Sequence, residues 1–587
     1  MKWERWHAVA AAAALVAVGF VGFAKCGGSS PQTDVGSTVA EPPARAPDDL
    51  LADIYVSSPN ASWSRLQRGV GGAMGILPST LPGVLVALTD LDVRFVDELD
   101  GTAPMYGVVA GDPANPGVAL AMKLVDGRRA RVALADGDTS RFTAKEAPGM
   151  TLLVPNGGAS AGSWGASSKF ELAITQNGYL LVARQAADLA RLGPYVTRTL
   201  PARPSSTDAA VAIEIPKSAL RTVVKPKLES LWSDGKSFLL TQDERMRAER
   251  GRAPDFGDPA AIVAALDSML GRRVAILGDL EKLRVELEIT EDAAVFTAML
   301  TPLASGEAGP ARRWVDGMKV GDAAPVLALP SVSALALSMR DSEPDRDEQA
   351  KELEKTLTTS LGSRLKDPAK LHDVIEAMTK ARDESVAFAV GLDDPAGLLV
   401  HSPVRDAASA DTAIRGAFDL TKVEPFKELL RVRDVTSSSE ELPGLGKIAV
   451  AMVAREPKDA KRGPGRAQPR AEATARAAAS RAGVAWTTDR GTLVLGAGAE
   501  PLVTLKMAAK SERVLADEPS LKRFAAAIGN DATTVIVGQP LRLDPKRANL
   551  PTAPLGIAVG RKGGDAFVRV DISDALLREA ARWQMGF

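Results

Sequence analysis

The chain has 587 residues, 45% of them hydrophobic and 25% charged, which excludes wholesale disorder and collagen-like repetition. Lys plus Arg (72) almost cancels Asp plus Glu (73), so the formal net charge is −1 and no global field recruits nucleic acid or an anionic surface. One cysteine excludes an internal disulfide framework or a cysteine-rich metal site, and three histidines leave little for a histidine-built metal centre.

At the N-terminus, Lys2 and Arg5 precede an uninterrupted apolar run from Ala8 to Ala24. The run sits at the lower edge of the ~17–25 residues that span a bilayer and exceeds the ~7–15 of a signal-peptide core. Gly22 and Ala24 place small residues before a cleavage point after Ala24. Cys26 suggests a lipoprotein, although Lys25 before it departs from the small residue a lipobox expects. Residues 1–26 therefore read as a signal peptide or membrane anchor, leaving retention, cleavage and lipidation at Cys26 open. Residues 27–47 are rich in Gly, Ser, Thr and Pro and read as a flexible tether. All three readings export the body of the chain and predict a periplasmic or cell-envelope location, membrane contact being made through Ala8 to Ala24.

The body repeats itself. Asp112-Pro113, between two apolar runs, matches Asp394-Pro395 at an offset of 282, and Pro148-Gly149 matches Pro443-Gly444 at 295. The hairpin signal Ala173 to Val182, with Asn177-Gly178 at its turn, matches Trp486 to Leu495 at 313. Asp208-Ala209 matches Asp531-Ala532 at 323, and a helix carrying Arg313-Trp314 matches one carrying Arg582-Trp583 at 269. The common order of five weak matches predicts an internal duplication, with halves at 48–321 and 322–587. The charged stretch Lys217 to Arg272 is extra in the first half, and a basic loop at 455–483 is inserted in the second.

The elements within these halves are legible from periodicity. Leu283, Val285, Leu287 and Ile289 alternate with Arg284, Glu286 and Glu288, predicting a strand with one wet face and hence an antiparallel sheet. Leu353, Leu357, Leu361 and Leu365 predict one helical stripe, and Asp367-Pro368 starts a second helix through Leu371, Ile375 and Met378. The predicted fold class is α+β, with helices packed on antiparallel sheets.

Chemistry is harder to find. No nucleophile elbow, Walker loop, His-Glu-x-x-His helix or zinc-knuckle spacing occurs. His401 and Ser402 are adjacent on a strand, so they point to opposite faces and cannot pair as base and nucleophile. His372 reads as a surface residue. The acidic run at Asp90–Asp100 lacks the Asp-x-Asp-x-Asp-Gly spacing of a calcium loop, and the run at Asp136–Asp138 has Arg141 and Ala147 where glycine and a bidentate glutamate belong. Gly69 to Thr89 carries no charge and reads either as a core helix with a buried connection or as a segment lining an acyl chain. The sequence thus nominates no catalytic residue, no metal ligand and no cofactor.

The plan resembles that of uncharacterised exported bacterial proteins with an N-terminal anchor and duplicated α+β halves. The likeness rests on the Ala8 to Ala24 run and on the repeat openings Asp53-Ile-Tyr-Val56 and Ala334-Leu-Ala-Leu337. It brings no site residues with it. The sequence-based expectation is a non-enzymatic envelope protein that binds a ligand, lipid included, or another envelope component such as a protein or polysaccharide. The competing reading is an exported hydrolase with an unrecognised carboxylate site.

Overall fold

A computed structural model describes residues 42–585, apart from 71–76, 90, 137–139, 157–169, 204–208, 251–258, 305–308, 393–396, 456–480 and 544–551. The N-terminal apolar run, Cys26, most of the tether and the body of the basic loop lie outside the described residues. The chain divides into two compact units. The first holds the described residues up to Val224, Leu280–Thr301 and those from Ile572 on; the second holds Lys225–Asp279 and Pro302–Asp571.

The first unit is built on strands β1 (Leu50–Val56), β2 (Met105–Ala110), β3 (Gly117–Lys123), β4 (Phe142–Ala147), β5 (Met150–Pro155), β6 (Glu171–Thr175), β7 (Tyr179–Ala183), β8 (Val211–Pro216) and β9 (Leu280–Ile289). Every pairing is antiparallel, and the order across the sheet is β9-β8-β1-β2-β3-β7-β6-β5-β4. Between β1 and β2 lie α1 (Pro59–Val70) and α2 (Leu81–Leu88), between β3 and β4 lies α3 (Gly127–Ala135), and between β7 and β8 lies α4 (Ala186–Pro194) with a wider turn over Tyr195–Thr199.

Both faces of this sheet are covered at its centre. Leu180 and Val182 join Trp63, Leu85, Met122 and Leu134 in one core. Leu181 and Ala183, on the alternate side of β7, join Val108, Ala121, Leu189, Leu192 and Tyr195 in the other. Each such large side chain contributes about 1.5–3 kcal/mol by leaving water. The antiparallel arrangement is as the sequence predicts, but the wet face read from β9 does not extend to β7. Small residues make the second cover possible: Ala110, Ala119, Ala121 and Ala173 are all fully buried under α4. The tether also ends earlier than its composition implies. Ala44 and Ala46 pack against this same core, and the Thr199 hydroxyl donates to the Ala44 carbonyl at 2.6 Å.

The first unit also takes the strand β10 (Ala293–Pro302) up to Thr301 and the terminal helix α13 (Asp574–Met585), whose Arg578 donates to the Gly69 carbonyl at 2.9 Å.

The second unit is built on β11 (Leu335–Arg340), β12 (Ser385–Val390), β13 (Leu398–Pro403), β14 (Val432–Leu442), β15 (Gly446–Arg455), β16 (Arg481–Asp489), β17 (Thr492–Gly498), β18 (Ala532–Gly538) and β19 (Leu555–Lys562). The order, again wholly antiparallel, is β19-β18-β11-β12-β13-β17-β16-β15-β14. Each strand thus occupies the place held in the first sheet by the strand numbered ten lower. Four of the five matched sequence segments flank or fall on counterpart strands, and two of the matched turns share a backbone conformation. Gly149 and Gly444 have φ of 76° and 82°, and Gly178 and Gly491 both have 77°, a region where a side chain would be strained. Asp126 and Asp406 cap the helices that follow β3 and β13, namely α3 and α10 (Ala407–Leu420), each accepting from backbone N–H groups of the first turn. Such a cap is worth about 1 kcal/mol.

The remaining helices of the second unit are α5 (Lys225–Arg250), α6 (Pro259–Gly278), α7 (Pro310–Gly317), α8 (Glu343–Leu361), α9 (Pro368–Ala381), α11 (Pro501–Lys510) and α12 (Pro519–Ile528). The expected halves, 48–321 and 322–587, are therefore not the compact bodies. The pair α5 and α6, which makes up most of the extra segment, belongs to the second unit, where Arg272 meets Glu348 and Glu352 of α8 at 2.9 and 2.5 Å. Helix α7 lies there too, its Val315 and Asp316 carbonyls accepting from Arg561.

Candidate functional site: a cavity beside a buried arginine

The residues singled out in the sequence do not converge. His401 stands opposite Ala387 and Val494 on β13, where partial burial lowers its pKa from the usual histidine value. Ser402 points the other way and donates to the Ser385 carbonyl at 3.1 Å, so the two form no nucleophile–base pair. His372 meets Glu354 at 3.0 Å on an exposed helix face. The described acids of the Asp90–Asp100 run serve turns and ion pairs. Asp92 accepts from the Arg94 amide, Asp100 from Thr102 and Ala103, and Glu98 pairs with Arg129. Among the described residues no three His, Cys, Asp or Glu side chains are placed to hold a metal ion. Helix α2, from the charge-free segment, buries Leu81, Leu85 and Val86 in the first unit's core, and residues 71–76 of that segment lie outside the described residues. No described helix is long and apolar enough to cross a membrane.

Two polar clusters emerge that sequence reasoning missed. In the first unit, Asp53 on β1 accepts from the Tyr195 hydroxyl at 2.9 Å and from Arg203 at 2.7 Å, and Arg203 also donates to the Tyr195 oxygen at 2.7 Å. Asp53 stands opposite Glu214 in the β1–β8 register, and Glu214 in turn meets Lys282 at 3.0 Å. Burial pushes the Asp53 carboxyl above its usual range, the hydrogen bond from Tyr195 and the charge of Arg203 opposing that rise. Its Oδ1 is buried without a partner. The other three tyrosines of the chain share this side of the sheet, with Tyr55 5.7 Å from Tyr106 and Tyr106 6.3 Å from Tyr179. Desolvation raises the Tyr106 hydroxyl to about 12. Each charge here has its own counter-ion, which is the arrangement of a packing network.

The second cluster is different. In the second unit, α8, α9 and the residue after it border a half-open pocket of about 250 Å³ lined by Arg346, Gln349, Leu353, Met378, Thr379 and Arg382, with Ala350 between them. Helix α8 starts on Ser342, whose hydroxyl accepts from the Asp345 amide, with Pro344 in the first turn. Arg346 is only 2% exposed, and no carboxylate neutralises it. Its Nη1 donates to the Asp341 carbonyl at 2.8 Å, whereas its Nη2 is buried without a partner. An unmade hydrogen bond of this kind costs about 1–3 kcal/mol, more for a charged group. The nearby Asp341 carboxylate is engaged elsewhere, accepting from Arg382 Nη2 at 2.7 Å and from Gln349 at the long distance of 3.5 Å. The wall therefore carries two cations and no anion.

The signal for this site lay in the sequence. Arg346, Ala350, Leu353 and Leu357 recur at the spacing of one helix face. Extending the leucine stripe back by two turns would have placed Arg346 inward, but its neighbours Asp345, Asp347 and Glu348 make the segment read as solvated. Leu353, the first residue of the leucine stripe, is 41% exposed at the pocket.

No protein family and no curated protein matches this chain. Among solved structures, crystal forms III and I of TP0453 are similar over 44% of this chain and over 97% and 95% of theirs. The identities are 9% and 7% and the TM-scores 0.21 and 0.19, values too low to speak to fold or function.

Proposed function

We propose that this chain is a non-enzymatic protein of the cell envelope that holds a small ligand in its second unit, exported behind the Ala8 to Ala24 segment and tethered by it. One observation carries the reading: the buried Arg346, with an unpaired guanidinium nitrogen, borders a pocket whose described lining holds no carboxylate. A fold retains an unsatisfied buried charge at a cost, and a ligand that repays it is a physical reason for doing so. Envelope protein, lipid and polysaccharide remain the classes of further partner. We also propose that the two sheets descend from one duplicated segment, since nine strands share one order and four of the five sequence matches flank or fall on counterpart strands.

The hydrolase alternative has one observation behind it, the Asp53 carboxyl held above its usual range next to Glu214. Against it stands the pairing of both acids with cations. Native mass spectrometry of the full chain, expressed with export, tests the main reading. The expected result is a stoichiometric extra mass released on denaturation, and a clean apo mass from folded protein contradicts it.

A further inference from the structure

Resting on that ligand-holding reading, we infer that the α8–α9 cavity takes a small organic monocarboxylate, its carboxylate meeting Arg346 and Arg382 and its apolar body lying against Leu353 and Met378.

The argument begins with charge. Arg346 and Arg382 line the cavity, and the nearest carboxylate, Asp341, is 2.7 Å from Arg382. Three groups thus carry two positive charges and one negative, which leaves one positive charge to be met. A monoanion completes that balance; a dianion such as phosphate overshoots it, and a cation meets two guanidinium groups and no carboxylate on the described wall. Guanidinium groups present planar forks of donors that match carboxylate oxygens. Arg346 keeps an unpaired Nη2, buried behind the pocket wall so that a turn of the guanidinium must bring it to a ligand, and Arg382 spends only Nη2 on Asp341. Gln349, whose one bond to Asp341 is stretched to 3.5 Å, can turn its amide to the same anion.

Size and polarity narrow the ligand further. Cavities of about 150 Å³ accept benzene, and drug-sized sites begin at about 300 Å³. At about 250 Å³ this cavity fits a molecule a little larger than benzene. Leu353, Met378 and Ala350 give it an apolar side, which a fully hydrated inorganic ion would leave unused. Met378 adds a flexible thioether that adapts to ligand shape. The open end lies at Leu353, which is 41% exposed.

Isothermal titration of the full chain with hexanoate and with benzoate tests this, with hexanol and inorganic phosphate as controls. Hexanol reports partition into detergent or into a merely apolar hole, and phosphate reports adsorption on positive charge. The expected result is one saturable site for at least one acid and none for either control. Arg346→Lys keeps the charge and loses the fork; Arg382→Gln alters a side chain that is 29% exposed and is expected to keep its fold, as circular dichroism would check. Each is expected to weaken the acid about tenfold or more, as loss of a charge-assisted hydrogen bond does. Leu353→Trp, which narrows the opening without touching charge, is expected to weaken it as well. Binding of hexanol equal to that of hexanoate overturns the inference, as does binding of phosphate alone, of neither acid, or undiminished binding by folded Arg382→Gln. A neutral or dianionic mass found bound in the native spectrum leaves the ligand-holding reading standing and removes the carboxylate.

Discussion

The two units share a strand order and differ in what they place on it. Gly117 lies against Asp188 of α4, and Gly397 lies against Thr504 of α11, so the two sheets can be laid in register on these crossings. Asp53, Tyr55, Tyr106 and Glu214 of the first unit then correspond to Ala336, Ser338, Ala387 and Val537 of the second. One sheet carries a charged and phenolic network, and the other carries small and apolar residues with a buried, unpartnered Ser338 hydroxyl. The connection from the first strand to the second diverges in the opposite sense. In the first unit it supplies Trp63, Leu81 and Leu85 to an apolar core, whereas in the second it supplies Arg346 and Arg382 to a cavity. Antiparallel order is set by backbone pairing and tolerates such exchange; the chemistry follows the side chains on each face.

The largest test of this comparison is in the cores. Leu181 of β7 is fully buried, and its counterpart Val494 of β17 is only half-buried. Leu181→Ala is expected to cost about 2–5 kcal/mol, and Val494→Ala about 1 kcal/mol or less, by urea unfolding. Equal costs would break the proposed register.

Next come the crossings. A Cβ at Gly117 would collide with the Asp188 carboxylate and one at Gly397 with the Thr504 hydroxyl. Gly117→Ala and Gly397→Ala are each expected to destabilise by about 1–3 kcal/mol, as overpacking does. If only one does, the helices do not meet their sheets in the same way.

The polar network gives a pH-dependent effect. Because burial raises the Asp53 carboxyl, its contribution to stability is complete below pH about 4, the unfolded value, and declines as pH rises through the raised folded value. Asp571 and Asp574 are raised by burial as well and act in the same direction. Asp53→Asn is expected to flatten part of the loss of urea midpoint between pH 4 and 8, whereas Ala336→Ser in the other sheet leaves the pH profile unchanged.

The smallest expected effect is at Trp486, whose indole N–H donates to Asp411 at 3.0 Å while Arg415 stacks on its ring. Trp486→Phe removes one part-buried hydrogen bond from a residue that is only 2% exposed and is expected to cost about 1 kcal/mol.

Much of the frame was legible from alternation and turn chemistry. Asn177-Gly178, Pro148-Gly149 and Pro443-Gly444 mark hairpins because their glycines take positive φ, and Asp367-Pro368 does start a helix. The clusters were not legible, for two physical reasons. Asp53, Tyr195 and Arg203 are far apart in sequence and meet only through strand pairing and the turn after α4. Arg346 sits among acids, and only the helical phase turns it inward. The compact bodies escaped the reading because the long helices between β8 and β9 are held by ion pairs to α8, a pairing that no local pattern announces.

Hydrogen exchange of the full chain with and without hexanoate tests the central claim most directly, because it reads both units at once. The account predicts slowed exchange in Glu343–Leu361 and Pro368–Ala381, with the strands and helices of the first unit unchanged. Protection centred on Asp53, Tyr195 and the tyrosine face would contradict it and move the ligand site to the other sheet.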